Sequence, residues 1–159
     1  MTTIIGIDPG LSGAIAVFEG ETLTIDDMPT HTVVRGGKEK RELDRAVLAS
    51  FLRERESLIA YVEQVGAMPG QGVTSMFSFG KSYGTVLGIL AAYGIPTFHV
   101  TPQAWRKALQ VRPGKDGSRL RASELMPQFA DMWPLKKHDG RAEAALIAYY
   151  GLQQQRTTT

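Results

Sequence analysis

The chain has 159 residues, 43% hydrophobic and 21% charged, enough for one domain with its own core. It has no cysteine, which excludes disulfides and thiolate metal sites, and its formal net charge is only +2. The opening "MTTIIGIDPG" lacks the basic n-region of a secretory signal, and no apolar run nears the roughly 20 residues of a membrane span, so a soluble intracellular protein is expected.

In chain order, "TIIGID" (3–8) is an apolar run ending in an acid and reads as a buried strand. "PGLSG" is a turn, and "AIAVFEG" and "ETLTIDDMP" read as a second and third strand. "VVRGGKEKRELD" is polar around a Gly-Gly turn and is expected to be an exposed hairpin tip or a mobile loop. From Asp44 to Glu56, Val47, Leu48, Phe51 and Leu52 recur at helical spacing behind an N-cap at Asp44. "SLIAYVEQV" reads as a strand carrying Glu63 at its end.

The loop "GAMPGQG" leads to a long helix over 73–93, closed by Gly94. Gly80, Gly84 and Gly88 share one face of it, and each costs about 1 kcal/mol of helix propensity against alanine. Close packing against another helix or the sheet is the expected compensation. "PTFHV" is a strand, and "TPQAWRKAL" a helix capped by Thr101 with Pro102 in its first turn. Ser118 is expected to cap a short basic helix that ends or bends at Pro127. A last helix covers 139–150 and is ended by Gly151. The order implies an α/β domain over 1–152 with a mixed sheet flanked by helices, and a flexible tail at 153–159.

Charge is uneven along this order. Residues 1–100 hold 8 Lys/Arg against 11 Asp/Glu, and residues 101–159 hold 10 against 5, so the second part is basic and suits a polyanion.

Asp8 and Glu63 each stand at the end of an apolar strand. A carboxylate there is either a turn or surface acid, or one of a set that converges on a ligand beyond the strand ends. Asp139 and Glu143 are four apart on the last helix and reach toward the same spot, although Asp139 also suits an N-cap. Such oxygen-rich ligands favour Mg²⁺ or Mn²⁺ over zinc. Two ions would activate water and stabilise the leaving oxygen of a phosphodiester, while Lys and Arg hold the backbone.

"IIGIDPGLSGAIAV", "YVEQV", "TPQAWRKAL" and "KKHDGRAEAALIA", in this order and spacing, resemble the RuvC-type Holliday junction resolvases, and most of all the phage and RuvC-like branch of the RNase H-like superfamily. The resemblance spans roughly residues 3 to 150. It implies an RNase H-like fold with a five-stranded mixed sheet, and a homodimer that cuts branched DNA with Mg²⁺ or Mn²⁺ in a bacterial or phage-infected cytoplasm. Carried over by motif, Asp8, Glu63, Asp139 and Glu143 are the expected catalytic and metal-binding acids, with His138 as second choice. In the family's pattern an acid or histidine stands three residues before the last acid, where this chain has Gly140. The family's aromatic wedge position is Gly66 here, leaving Met68, Met76 or Phe77 for that role. Lys81, Arg106, Lys107, Lys115, Arg119, Arg121, Lys136, Lys137 and Arg141 are the expected DNA contacts, and Phe77, Phe79 and Tyr83 serve either the dimer or the core.

Three other readings compete. A nuclease for flaps or forks would carry the same acids. A non-catalytic DNA-binding relative would not need them all. "GIDPGLSGAIAV" also resembles the first phosphate loop of actin-like nucleotide-binding proteins, whose second lobe 159 residues are not expected to hold.

Overall fold

The structure, a computed structural model, describes residues 1–158. Five strands form one mixed sheet: β1 (Thr3–Asp8), β2 (Ala14–Glu19), β3 (Thr22–Asp27), β6 (Leu58–Glu63) and β7 (Thr97–Val100), in the spatial order β3-β2-β1-β6-β7. β1, β2 and β3 run antiparallel as a meander, while β1, β6 and β7 run parallel. Between β3 and β6 the chain makes β4 (Thr30–Arg35) and β5 (Lys38–Leu43), a separate two-stranded hairpin closed by Gly36 and Gly37 at positive φ. The polar stretch expected as a hairpin tip or mobile loop is therefore paired strand for most of its length.

Strand alternation divides the core into two layers. Ile5, Ile7, Ile15, Val17, Ala60 and Val62 face α1 (Arg45–Arg53) and α2 (Val73–Ala92), meeting Leu48, Leu52, Val86 and Leu90. Ile4, Ala14, Ala16, Phe18 and Tyr61 face the other way, toward α3 (Pro102–Ala108), α4 (Gly117–Leu125) and α5 (Asp139–Thr158), with Trp105, Trp133 and the alanines of α5. Residues 127–132 and 136–138 form short 3-10 turns between α4 and α5. Among the described residues no helix is long and apolar enough to cross a membrane.

Local signals set several boundaries. The Asp44 carboxylate accepts from the Val47 N–H, and the Thr101 hydroxyl from the Ala104 N–H. α4 stops at Leu125, just before Pro127.

Other expectations fail for tertiary reasons. Ser118 lies inside α4 rather than at its cap, the position Asp116 takes, and its hydroxyl is engaged in the site described below. Gly151 does not end α5. A Cβ there would stand 2.4 Å from the Tyr61 ring, so the glycine lets the helix pass over β6, and Gln155 then donates to the Tyr61 hydroxyl at 2.9 Å. Residues 153–158, expected as a flexible tail, continue α5; Thr159 lies outside the described residues. Gly80, Gly84 and Gly88 pack against nothing in this chain, for a Cβ at each would meet no atom within 4 Å. Phe77, on the same helix, is 74% exposed and so is not core.

Candidate active site

The same alternation that sorts the core places the acids. Gly6 and Ile4 face α5, so Asp8, two residues on, faces it too. On β6, Tyr61 faces α5 and Glu63 follows two residues later. The parallel register pairs Ile7 with Val62, which carries Asp8 alongside Glu63 at the carboxyl ends of two neighbouring strands. α5 lies across both strands, held close by its alanines and by Gly6, and delivers Glu143 from above.

These three carboxylates interact strongly. Burial first, then the charges of Glu143 and Glu63, raise the Asp8 pKa to about 7, against weaker lowering by the Gly10 N–H and Arg106. Burial also raises Glu63, and Glu143 adds to it, while the Trp105 indole opposes the shift. Each acid has a protein donor. Gly10 N–H donates to Asp8 Oδ1 at 3.2 Å, and Trp105 Nε1 donates to Glu63 Oε2 at 2.8 Å. Glu143 Oε1 accepts from Arg106 Nη2 at 2.6 Å and from Ser118 Oγ at 3.2 Å. In this arrangement, no three acidic or histidine side chains among the described residues stand together as a ready ion cage.

The turn after β1 is shaped around the same point. A Cβ on Gly13 would lie 2.1 Å from the Asp8 carbonyl oxygen, and one on Gly140 would lie 2.4 Å from the Ser12 carbonyl oxygen. The first turn of α5 thus presses on the loop that follows Asp8. No side chain fits at 140, which accounts for the glycine where the resolvase pattern has a ligand.

The other acid and the histidine lie apart from the trio. Asp139 Oδ1 accepts from Arg119 Nε at 3.0 Å, and Arg119 also bonds Asp116. His138 Nδ1 accepts from the Leu135 N–H at 3.2 Å and borders a cleft of about 370 Å³ with Asp27, Arg41, Lys137 and Arg141. Burial, and then the cations Arg141 and Lys137, hold the His138 pKa below its ordinary range.

The basic residues singled out from sequence divide in two. Arg141 grips Asp27 with both Nε (2.7 Å) and Nη2 (2.9 Å), and Arg121 bonds the Leu109 carbonyl and Glu124. Lys81 pairs with Glu42 of the hairpin at 3.3 Å. Lys107, Lys115, Lys136 and Lys137 are exposed on the surface. Trp105 and Ser118 had no signal as site residues: an apolar helix position and a presumed cap carry no sign of a carboxylate more than twenty residues away.

No family model matches this chain. Two solved structures of Thermus thermophilus RuvC share its fold: one in complex with a Holliday junction substrate, at TM-score 0.61 and 18% identity, covering 100% of this chain and 98% of that one. The other is RuvC alone, at TM-score 0.58 and 18% identity, covering 99% and 98%. The five-stranded mixed sheet with flanking helices is the RNase H-like fold, and the chain shares it with these two RuvC structures. A chloroplastic Holliday junction resolvase of Chlamydomonas reinhardtii, MOC1, is 33% identical over 98 residues, which are 60% of this chain; the match spans 11% of that protein's length.

Proposed function

We propose that this chain is a divalent-metal-dependent endonuclease that cuts branched DNA, with the Holliday junction as its principal substrate. One observation carries the reading: three carboxylates from β1, β6 and α5 converge beyond the strand ends, and the half-buried Asp8 is pushed to a pKa of about 7 by burial and by the other two. Three acids beside one guanidinium, that of Arg106, leave the site short of positive charge, and their hard oxygen donors suit Mg²⁺ or Mn²⁺. Asp8, Glu63 and Glu143 would hold the metal, with Asp139 reaching a second ion only after leaving Arg119. When bound, the metal supplies Lewis acidity for phosphodiester hydrolysis, leaving a 5′-phosphate and a 3′-hydroxyl.

The protein's own residues do the rest. The Trp105 indole and the Ser118 hydroxyl aim Glu63 and Glu143. Lys107, Lys115, Lys136 and Lys137 offer flexible cations to the DNA backbone, whereas Arg119, Arg121 and Arg141 brace the fold around the site. His138, with Lys137 and Arg41, borders a cleft on the opposite flank of the turn after β1 and serves DNA there rather than a metal.

A second copy completes the symmetric cutting of two strands. Val73 and Phe77 are 85% and 74% exposed on α2, and they continue into the open face of Gly80, Gly84 and Gly88. A glycine face with apolar neighbours suits close helix-to-helix approach, and this is the proposed dimer surface.

The test is side-by-side cleavage of four-way, three-way, flap and linear DNA with Mg²⁺, Mn²⁺ or EDTA, using wild type, Asp8→Asn and Glu63→Gln. Metal-dependent cutting of the four-way substrate, lost in both variants while DNA is still bound, is the expected result. Preference for flaps or forks would transfer the chemistry to another branch; cutting by Asp8→Asn would refute the site.

A further inference from the structure

The motif "TPQAWRKAL" places two consecutive residues of α3, Trp105 and Arg106, on acids from two different elements. We propose that Arg106 is a resident counter-cation, displaced from Glu143 when a divalent ion enters and thereby released toward the DNA phosphate. The inference rests on the metal-dependent reading above and goes beyond it by giving the metal-free site a closed state.

Arg106 is held on three sides. Its Nη2 donates to Glu143 Oε1 at 2.6 Å, its Nη1 donates to Ser118 Oγ at 3.3 Å, and its guanidinium carbon lies 4.6 Å from the Trp105 ring centroid. A carboxylate oxygen so occupied is unavailable to an ion, consistent with the absence, among the described residues, of a ready cage. A full positive charge beside three converging acids does electrostatically what a metal would do there, so the two compete.

Three features make the pair exchangeable rather than permanent. Ser118 donates to the same Glu143 oxygen at 3.2 Å, so the carboxylate stays aimed after the guanidinium leaves. Glu63 is held by a neutral indole, which fixes its direction without cancelling its charge. The Arg106 side chain is 37% exposed, so it has a path outward. A guanidinium freed at the edge of the site is well suited to a phosphate oxygen, whose fork geometry it matches. Metal entry and phosphate capture would thus be two halves of one exchange.

The competition is measurable without DNA, by calorimetric titration of Mn²⁺ or Mg²⁺ into the metal-free full chain. Arg106→Gln should bind Mn²⁺ at least about fivefold more tightly than wild type, because no ion pair has to be broken. Lys107→Gln removes the same charge one residue away without touching an acid, and should change affinity by less than about twofold. In a Glu143→Gln background, Arg106→Gln should add nothing. Arg106→Lys, which keeps the charge but loses the fork, should fall between wild type and Arg106→Gln and guards against misfolding of the latter. Unchanged or weaker Mn²⁺ binding by Arg106→Gln and Arg106→Lys overturns the proposal and makes Arg106 a fixed brace, leaving the nuclease reading intact. Absence of metal binding in every form, wild type included, overturns both.

Discussion

Gly6 and Ala148 meet so closely that a Cβ on Gly6 would stand 2.3 Å from the Ala148 backbone nitrogen. This contact between β1 and α5 sets the height at which Glu143 hangs over Asp8. Gly6→Ala should therefore lift the helix, costing about 3 kcal/mol or more in chemical denaturation. Metal affinity should fall with it, although residue 6 touches no ligand.

Asp8 makes the metal-free protein sensitive to pH. Its folded pKa, about 7, lies above the ordinary aspartate value of 3.8, so the folded state binds the extra proton between these values. Stability from this group is therefore greatest at low pH, declines as pH rises through that window, and levels off above about 7. Asp8→Asn should stabilise the metal-free protein at pH 8 by roughly 2 to 4 kcal/mol and much less at pH 4. Thermal melts at the two pH values check this, and added Mg²⁺ should raise the melting temperature of wild type but not of the variant.

Trp105→Phe keeps the buried ring and removes the N–H that reaches Glu63. The loss of a donor to a buried acid should cost about 1–3 kcal/mol of stability. Since that hydrogen bond opposes the upward shift at Glu63, its removal should also raise the Glu63 pKa further. The pH profile of cleavage should then move to higher pH on its acidic limb, a change that a loss of packing alone would not produce.

Lysine and arginine near the start of α5 should respond differently to salt. Lys136 and Lys137 are exposed, so replacing both with glutamine should lower the slope of log affinity for DNA against log salt by about 2. Arg141, engaged with Asp27 and the Met132 carbonyl, should leave that slope nearly unchanged when replaced by glutamine, with a stability loss within roughly 1 kcal/mol. Binding measured across a salt series separates the two behaviours.

Gly84→Glu tests the proposed dimer face. A side chain there meets nothing within its own chain, so the monomer fold should be preserved and helix propensity slightly improved. In a dimer built on α2 the change brings two charges into the interface, and the dissociation constant should rise at least about tenfold by analytical ultracentrifugation.

Sequence by itself determined most of the elements and several of their ends. The apolar runs closed by Asp8 and Glu63, the caps Asp44 and Thr101, and the stop before Pro127 are set by residues within a turn of one another, so they are legible without the fold. Period-two alternation even implies which strand residues share a face with each acid. Only the tertiary structure decided what those acids meet. Arg106 reaches Glu143 across 37 positions, and Trp105 reaches Glu63 across 42. It also decided that Gly140 gives way to the Ser12 carbonyl, that Gly151 lets α5 run on over Tyr61, and that the α2 glycines face outward. A glycine looks the same in sequence whether it admits a neighbouring backbone, caps a helix or leaves a face open. The difference lies in what the folded chain brings within a few ångströms of its missing side chain.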